Sequence, residues 1–157
     1  MRPPSIATKD NWPPDYVAVW QWRQNQLRQI RNNPALIAGA KEFYKTHPVE
    51  FILHWMDTCD PRDSGRDKPA KMPFVMFERQ GDMIEFLQAI LDAEEGGLIE
   101  KARDMGATWV CCAFSVWLWL FWDGASIGWG SRKEQLVDKL GDADSIFEKI
   151  RILIRGL

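Results

Sequence analysis

The run Leu98-Ile99-Glu100-Lys101-Ala102-Arg103-Asp104-Met105-Gly106-Ala107-Thr108 has the residue types and spacing to do chemistry, and it leads directly into an apolar stretch from Trp109 to Trp122. Laid on the phosphate-loop pattern G-x-x-x-x-G-K-S/T, Gly106 and Thr108 match. Lys101 stands where the first glycine belongs, and Ala107 where the lysine belongs. The chemistry would be phosphate binding. Backbone N–H groups at the start of a helix face an anion, and the helix dipole favours it. Gly106 would let the backbone come close to a phosphate that a Cβ would obstruct. The Thr108 hydroxyl would stand where a Mg²⁺ ligand is expected. Lys101 and Arg103 would supply positive charge. The plainer reading is a charged loop, because two matches in four fixed positions recur by chance, and a strand–loop–helix context is what separates the two.

A second group lies about 20 residues upstream, at Phe77-Glu78-Arg79-Gln80. A glutamine amide can pair bidentately with adenine N6 and N7. A neighbouring aromatic ring or arginine plane can stack on the base. This is the logic of the adenine-reading element that precedes the phosphate loop in helicase-like ATPases. A solvated helix start is the competing account. His47 and His54 have no nucleophile or metal partner near them in sequence. Asp57, Asp60, Asp63 and Asp67 lack the glycine and terminal glutamate of a calcium loop.

These groups need elements to hold them. Residues 1–14 are proline-rich and read as irregular. Residues 15–31 read as a helix with Tyr16, Trp20, Leu27 and Ile30 on one face and Arg23, Gln24 and Arg28 opposite. Asn32-Asn33-Pro34 breaks it, and helices over 35–45 and 49–56 follow, separated by His47-Pro48. Asp57 to Lys71 reads as a polar loop. Met72 to Glu78 predicts a strand and 82–93 a helix. Leu98-Ile99 predicts the strand before the loop, the apolar stretch a buried helix, and Ser126–Trp129 a third strand. Two closing helices, 131–140 and 144–155, carry capping-box spacings at Ser131/Glu134 and Ser145/Glu148. The expected fold class is α/β: a helical lead, then an incomplete parallel sheet of the P-loop NTPase type with flanking helices. The expected divisions are 1–56 as lead-in, 57–71 as linker and 72–157 as a partial ATPase domain.

Composition bounds the rest. The 157 residues suffice for one domain with a core, and 46% hydrophobic with 27% charged residues is ordinary for a globular chain. Nine tryptophans are not ordinary, and they imply much buried area or a sticky surface. A net charge of −2 gives no footprint of non-specific DNA binding. Residues 1–55 carry seven basic and four acidic side chains, and the remainder thirteen and eighteen, so the asymmetry is mild. Cys59, Cys111 and Cys112 form no C-x-x-C or Cys/His cluster, which argues for small buried hydrophobes and against zinc. No apolar signal core follows Met1-Arg2-Pro3-Pro4. The run Val110–Trp122 is shorter than the ~20 residues a membrane span needs.

Four stretches together carry a resemblance. They are Pro48–Trp55 with Asp60-Pro61-Arg62; Pro73-Phe74-Val75-Met76-Phe77-Glu78-Arg79-Gln80; Lys101–Thr108; and Gly130–Asp138 with Asp144–Lys149. Over roughly residues 40–157 the chain resembles the N-terminal part of a large terminase subunit, the ATP-driven DNA-packaging motor of tailed phages and prophages. In some members of that family the loop lysine sits at the loop's start, as Lys101 does here. The resemblance implies ATP and Mg²⁺ as cofactors. Gln80, with Arg79 beside it, would contact adenine; Lys101 and Arg103 the phosphates, along the loop backbone at Gly106; and Thr108 the Mg²⁺. It implies no membrane and a bacterial host cytoplasm. Double-stranded DNA, portal and small terminase subunit would be partners of the full-length parent.

The apolar strand ending in Asp-Glu that would form a Walker-B element does not follow Thr108, and the coupling motif and nuclease domain are missing. The expectation is therefore an ATP-binding fragment, a truncated product or partial gene, with no catalytic residue of its own and inactive in hydrolysis alone. Two other readings compete. One is a small Trp-rich helical interaction protein indifferent to nucleotide. The other is a nucleic-acid module using Arg23, Arg28 and Arg31, which a steep salt dependence of DNA affinity would reveal.

Overall fold

The computed structural model describes residues 2–59 and 71–157. In chain order these form α1 (Tyr16–Arg31), α2 (Pro34–Thr46), α3 (Pro48–Trp55), β1 (Asp57–Cys59), β2 (Lys71–Pro73), α4 (Glu78–Asp92), α5 (Ala107–Phe121), α6 (Glu134–Val137) and α7 (Ile146–Gly156). The molecule is mixed but mainly helical. Asp60, Asp63, Asp67 and the Asp60-Pro61-Arg62 stretch lie outside the described residues.

Local chemistry accounts for the starts of the first three helices. Asp15 caps α1 by accepting the Ala18 N–H at 2.9 Å. The Asn32-Asn33-Pro34 break is also a start signal: Asn33 accepts the Ala35 N–H at 3.1 Å, and Pro34 fits the first turn, where no intrahelical N–H bond is needed. Pro48 opens α3 in the same way.

α5 is the centre of the core. It packs against α3, α4 and α7, and its residues 110–117 are largely buried. Val110, Val116 and Trp117 meet Ile52 and Met56 of the α3 end, Met76, Ile84 of α4 and Leu153 of α7 in one hydrophobic cluster. That cluster draws on residues from both sides of segment 57–71. An indole this deep needs its N–H satisfied, and Trp117 Nε1 donates to the Tyr44 carbonyl at 2.7 Å.

The strands differ from the sequence expectation. β1 and β2 pair antiparallel, with Asp57 opposite Pro73, Thr58 opposite Met72 and Cys59 opposite Lys71. The predicted strand 72–78 contributes only its first residues to this ladder. Its far end makes an isolated parallel bridge between Phe77 and Ala7. Leu98-Ile99 is irregular, and Leu98 is 91% exposed. Ser126–Trp129 is irregular too, in a segment bounded by Gly124 and Gly130. Neither has a neighbouring strand among the described residues. Two to four residues without a partner ladder gain too little to offset their ordering entropy.

Two capping boxes were expected and neither forms. α6 is a single turn with Lys133 at its cap. Ser145 does stand at the cap of α7, but its hydroxyl donates backward to the carbonyls of Lys139 (3.1 Å) and Asp142 (2.9 Å). Glu148 instead accepts from Arg151 at 3.0 Å and Arg155 at 3.4 Å.

The buried face of α1 is also not the predicted one. Val19, Trp22 and Arg23 are buried, whereas Trp20 and Leu27 are exposed. Arg23 explains the rotation. Its Nη1 donates to Asp57 Oδ1 at 2.6 Å and its Nη2 to the carbonyls of Met56 (2.6 Å) and Leu53 (3.3 Å). Lys71 Nζ approaches the other Asp57 oxygen at 3.1 Å. The guanidinium fork therefore joins α1 to the end of α3 and the start of β1.

Candidate functional site

The phosphate-loop candidate and the adenine-motif candidate meet on one groove of about 1110 Å³. That is the scale of a small-molecule cleft, roughly 300–1,000 Å³. Gln80, Lys101, Gly106 and Thr108 all line it. Two sequence candidates do not. Arg79 points into solvent and pairs with Asp82 at 2.9 Å. Arg103 is exposed and lies off the groove.

Gln80 makes the junction. It sits in the first turn of α4, where its Oε1 accepts the Phe77 N–H at 3.0 Å. Its Nε2 donates to the Met105 carbonyl at 3.0 Å. One amide thus caps α4 and ties the loop before α5 to it, across 25 residues of sequence. Both halves of the amide already have backbone partners, and one Nε2 hydrogen remains.

Gly106 is required at the same place. It caps α5 in the left-handed region, at φ +70°, where a Cβ is disfavoured. A Cβ there would also lie 2.7 Å from Gln80 Nε2. The close approach that Gly106 permits is therefore to the glutamine amide. Asp104, two residues earlier, is also left-handed, at φ 61°. With these turns the loop delivers Ala107 and Thr108 to the first positions of α5, whose early N–H groups have no intrahelical carbonyl to bond.

The other walls were not legible as site residues in the sequence. Lys149 of α7 reaches the groove while only 7% exposed. Its Nζ donates to the Ala143 carbonyl at 2.5 Å and stands 5.6 Å from the Trp109 ring. Burial pulls its pKa below the ordinary lysine value, and the nearby Asp144 opposes that pull. Asp104 and Asp144 add carboxylates to the lining. The opposite wall comes from the N-terminal segment, through Trp12, Pro13 and Pro14. The Trp12 and Phe77 rings pack at a centroid distance of 4.8 Å.

The donor chemistry fits a magnesium–phosphate complex. Mg²⁺ takes hard oxygen ligands, usually one or two from protein and the rest from phosphates and water. Thr108, Asp104 and Asp144 are side chains with oxygens of that kind in the lining.

The remaining candidates have structural roles. The His54 ring lies against Trp22 at 4.6 Å, and its Nδ1 shares a hydrogen bond with the Tyr44 hydroxyl at 2.9 Å. Burial lowers its pKa to about 4. His47 stacks on Phe43 at 4.1 Å. Burial pushes the Cys112 thiol up to about 12 and raises Cys111 as well, so both are poor nucleophiles. Arg23, offered to nucleic acid in one reading, is buried against Asp57. Among the described residues no helix is long and apolar enough to cross a membrane. No protein-family model matches the chain, and neither a curated protein nor a solved structure does.

Proposed function

We propose that this chain is the ATP-binding, N-terminal portion of a phage-type terminase large subunit, not competent in hydrolysis alone, its loop running into α5 with no strand immediately before it among the described residues. One observation carries the reading. Four of the six residues selected for nucleotide chemistry, Gln80, Lys101, Gly106 and Thr108, line one groove at the start of a buried helix. Lys101 supplies the phosphate-facing charge and Thr108 the Mg²⁺ ligand, while Gln80 holds the loop in place. DNA, portal and small subunit would be partners of the full-length motor.

The test is titration of the purified chain with a fluorescent ATP analogue and Mg²⁺, on the wild type and Lys101→Ala. Saturable binding that the substitution weakens at least tenfold supports the reading. Equal binding by both, or none by either, removes it.

A second reading rests on the surface at the far end of α5. Trp119, Leu120 and Trp122 are exposed there, and α2 exposes Leu36, Ile37 and Phe43. Lys45 of α2 lies 5.5 Å from the Trp122 ring, so the two helices meet at this end. Exposed tryptophans grouped at the end of a buried helix suit a protein partner. Indifference to ATP with retained folding would favour this reading.

A further inference from the structure

We infer that the Trp12 indole is the base-stacking wall of the groove, so that the site takes nucleoside triphosphates by the face of the base and not by its edge. The inference rests on the nucleotide reading above and adds what recognises the base.

Three observations lead to it. First, Trp12 and Phe77 form a tilted ring pair, and each is about half exposed, at 50% and 46%. Both line the groove. Large aromatic surface left open inside a cleft is surface a planar ligand can cover. Second, the pair is held in place from behind. The Ala7 N–H donates to the Met76 carbonyl at 2.7 Å, and Ala7 bridges Phe77 in parallel register. Asn11 then ties the segment into a turn: its Oδ1 accepts the Thr8 N–H at 2.6 Å and its Nδ2 donates to the Ile6 carbonyl at 3.0 Å. Ile6 packs on Gly81 so closely that a Cβ there would lie 2.7 Å from it. Trp12 is thus delivered to Phe77 by a braced segment. Third, the Gln80 amide, the edge reader expected from sequence, already accepts from Phe77 and donates to Met105. Pairing bidentately with adenine would have to use the second Oε1 lone pair and the one remaining Nε2 hydrogen. Stacking needs neither, and it is tolerant of base identity because every base has a π face.

The experiment is isothermal titration of the full chain, with Mg²⁺ present, against ATP, GTP and inorganic tripolyphosphate, using the wild type, Trp12→Ala, Trp12→Phe and Lys101→Ala. The wild type is expected to bind ATP and GTP within about threefold of one another. Trp12→Ala should weaken both about tenfold or more, the scale of one lost base–aromatic stack, and leave tripolyphosphate within twofold. Trp12→Phe should recover most of the loss. Lys101→Ala should weaken all three ligands. Unchanged ATP and GTP binding by Trp12→Ala, alongside a loss in Lys101→Ala, overturns the stacking wall and leaves the nucleotide reading standing. A tenfold preference for ATP over GTP, or an equal loss of tripolyphosphate in Trp12→Ala, also overturns it. Binding of none of the three ligands by the wild type overturns both.

Discussion

At the scale of single residues, Gln80 and Gly106 behave as one device. The amide needs an approach that only a glycine allows, and the glycine sits in a left-handed conformation that the following helix requires. Gly106→Ala should lower unfolding free energy by about 1–2 kcal/mol from the backbone alone, and more from the clash with the amide. Gln80→Leu leaves the exposed Met105 carbonyl and Phe77 N–H to water, and should lower stability by about 0.5–1.5 kcal/mol. Urea unfolding measures both. The two losses should be strongly non-additive in the double variant, because each removes the same contact. Additive losses would show that the two residues act separately. Both residues were legible in the sequence as candidates, but for another reason. The spacing pattern identifies positions with a demanding role and is silent on whether the demand comes from a phosphate or from a neighbouring amide.

At the scale of elements, α1, α3 and β1 are joined by buried charge. Arg23 and Asp57 are both almost fully enclosed, at 2.6 Å. Such a pair adds little stability over apolar residues, yet removing Arg23 leaves the buried Asp57 carboxylate with only the half-exposed Lys71. Arg23→Ala should therefore cost about 3–5 kcal/mol, read by chemical denaturation. A loss below about 1 kcal/mol would mean that Lys71 or water satisfies the Asp57 carboxylate in place of Arg23. The same helix face carries a pH dependence through His54, which packs on Trp22 of α1. The unfolded imidazole titrates near 6.5 and the folded one at about 4. Between these values the unfolded chain binds the proton and the folded chain does not. The contribution is full above about pH 6.5 and is lost as the pH falls toward 4, up to about 3 kcal/mol. Urea midpoints from pH 7.5 to 4.5 should fall for the wild type and flatten in His54→Phe. Equal slopes in the two proteins would place the acid sensitivity elsewhere. Helical periodicity alone put Arg23 on the solvent side of α1, since it ranks residues by polarity. A partner 34 residues away is not part of that signal.

At the scale of the whole molecule, the buried helix α5 runs out of core before it ends. Its middle is enclosed by α3, α4 and α7, while Trp119, Leu120 and Trp122 emerge into solvent beside α2. This apolar end should drive association at high concentration. Replacing Trp119 and Leu120 with serine should reduce light scattering at high protein concentration and leave the melting temperature within about 2 °C, because neither side chain belongs to the central cluster. Unchanged scattering would mean that another surface mediates association.

The sequence by itself determined most of the helices, because their signals are local, though the helix expected over 131–140 is only the single turn Glu134–Val137. Asp15, Asn33 with Pro34, and Pro48 mark starts that the backbone obeys, and a thirteen-residue apolar run with one serine has to be buried for most of its length. By motif spacing it also singled out Gln80, Lys101, Gly106 and Thr108, which line the groove, and Arg79 and Arg103, which do not, because spacing carries no side-chain direction. Tertiary structure decided what strands there are, because a strand of a few residues exists only through its partner. β1 found β2 in antiparallel register, and Leu98-Ile99 and Ser126–Trp129 found none among the described residues. It also decided the groove's other walls. Trp12 and Lys149 lie 137 positions apart and carry no shared motif. Only the packing of the N-terminal segment on Phe77 and of α7 on α5 places them on the same cleft.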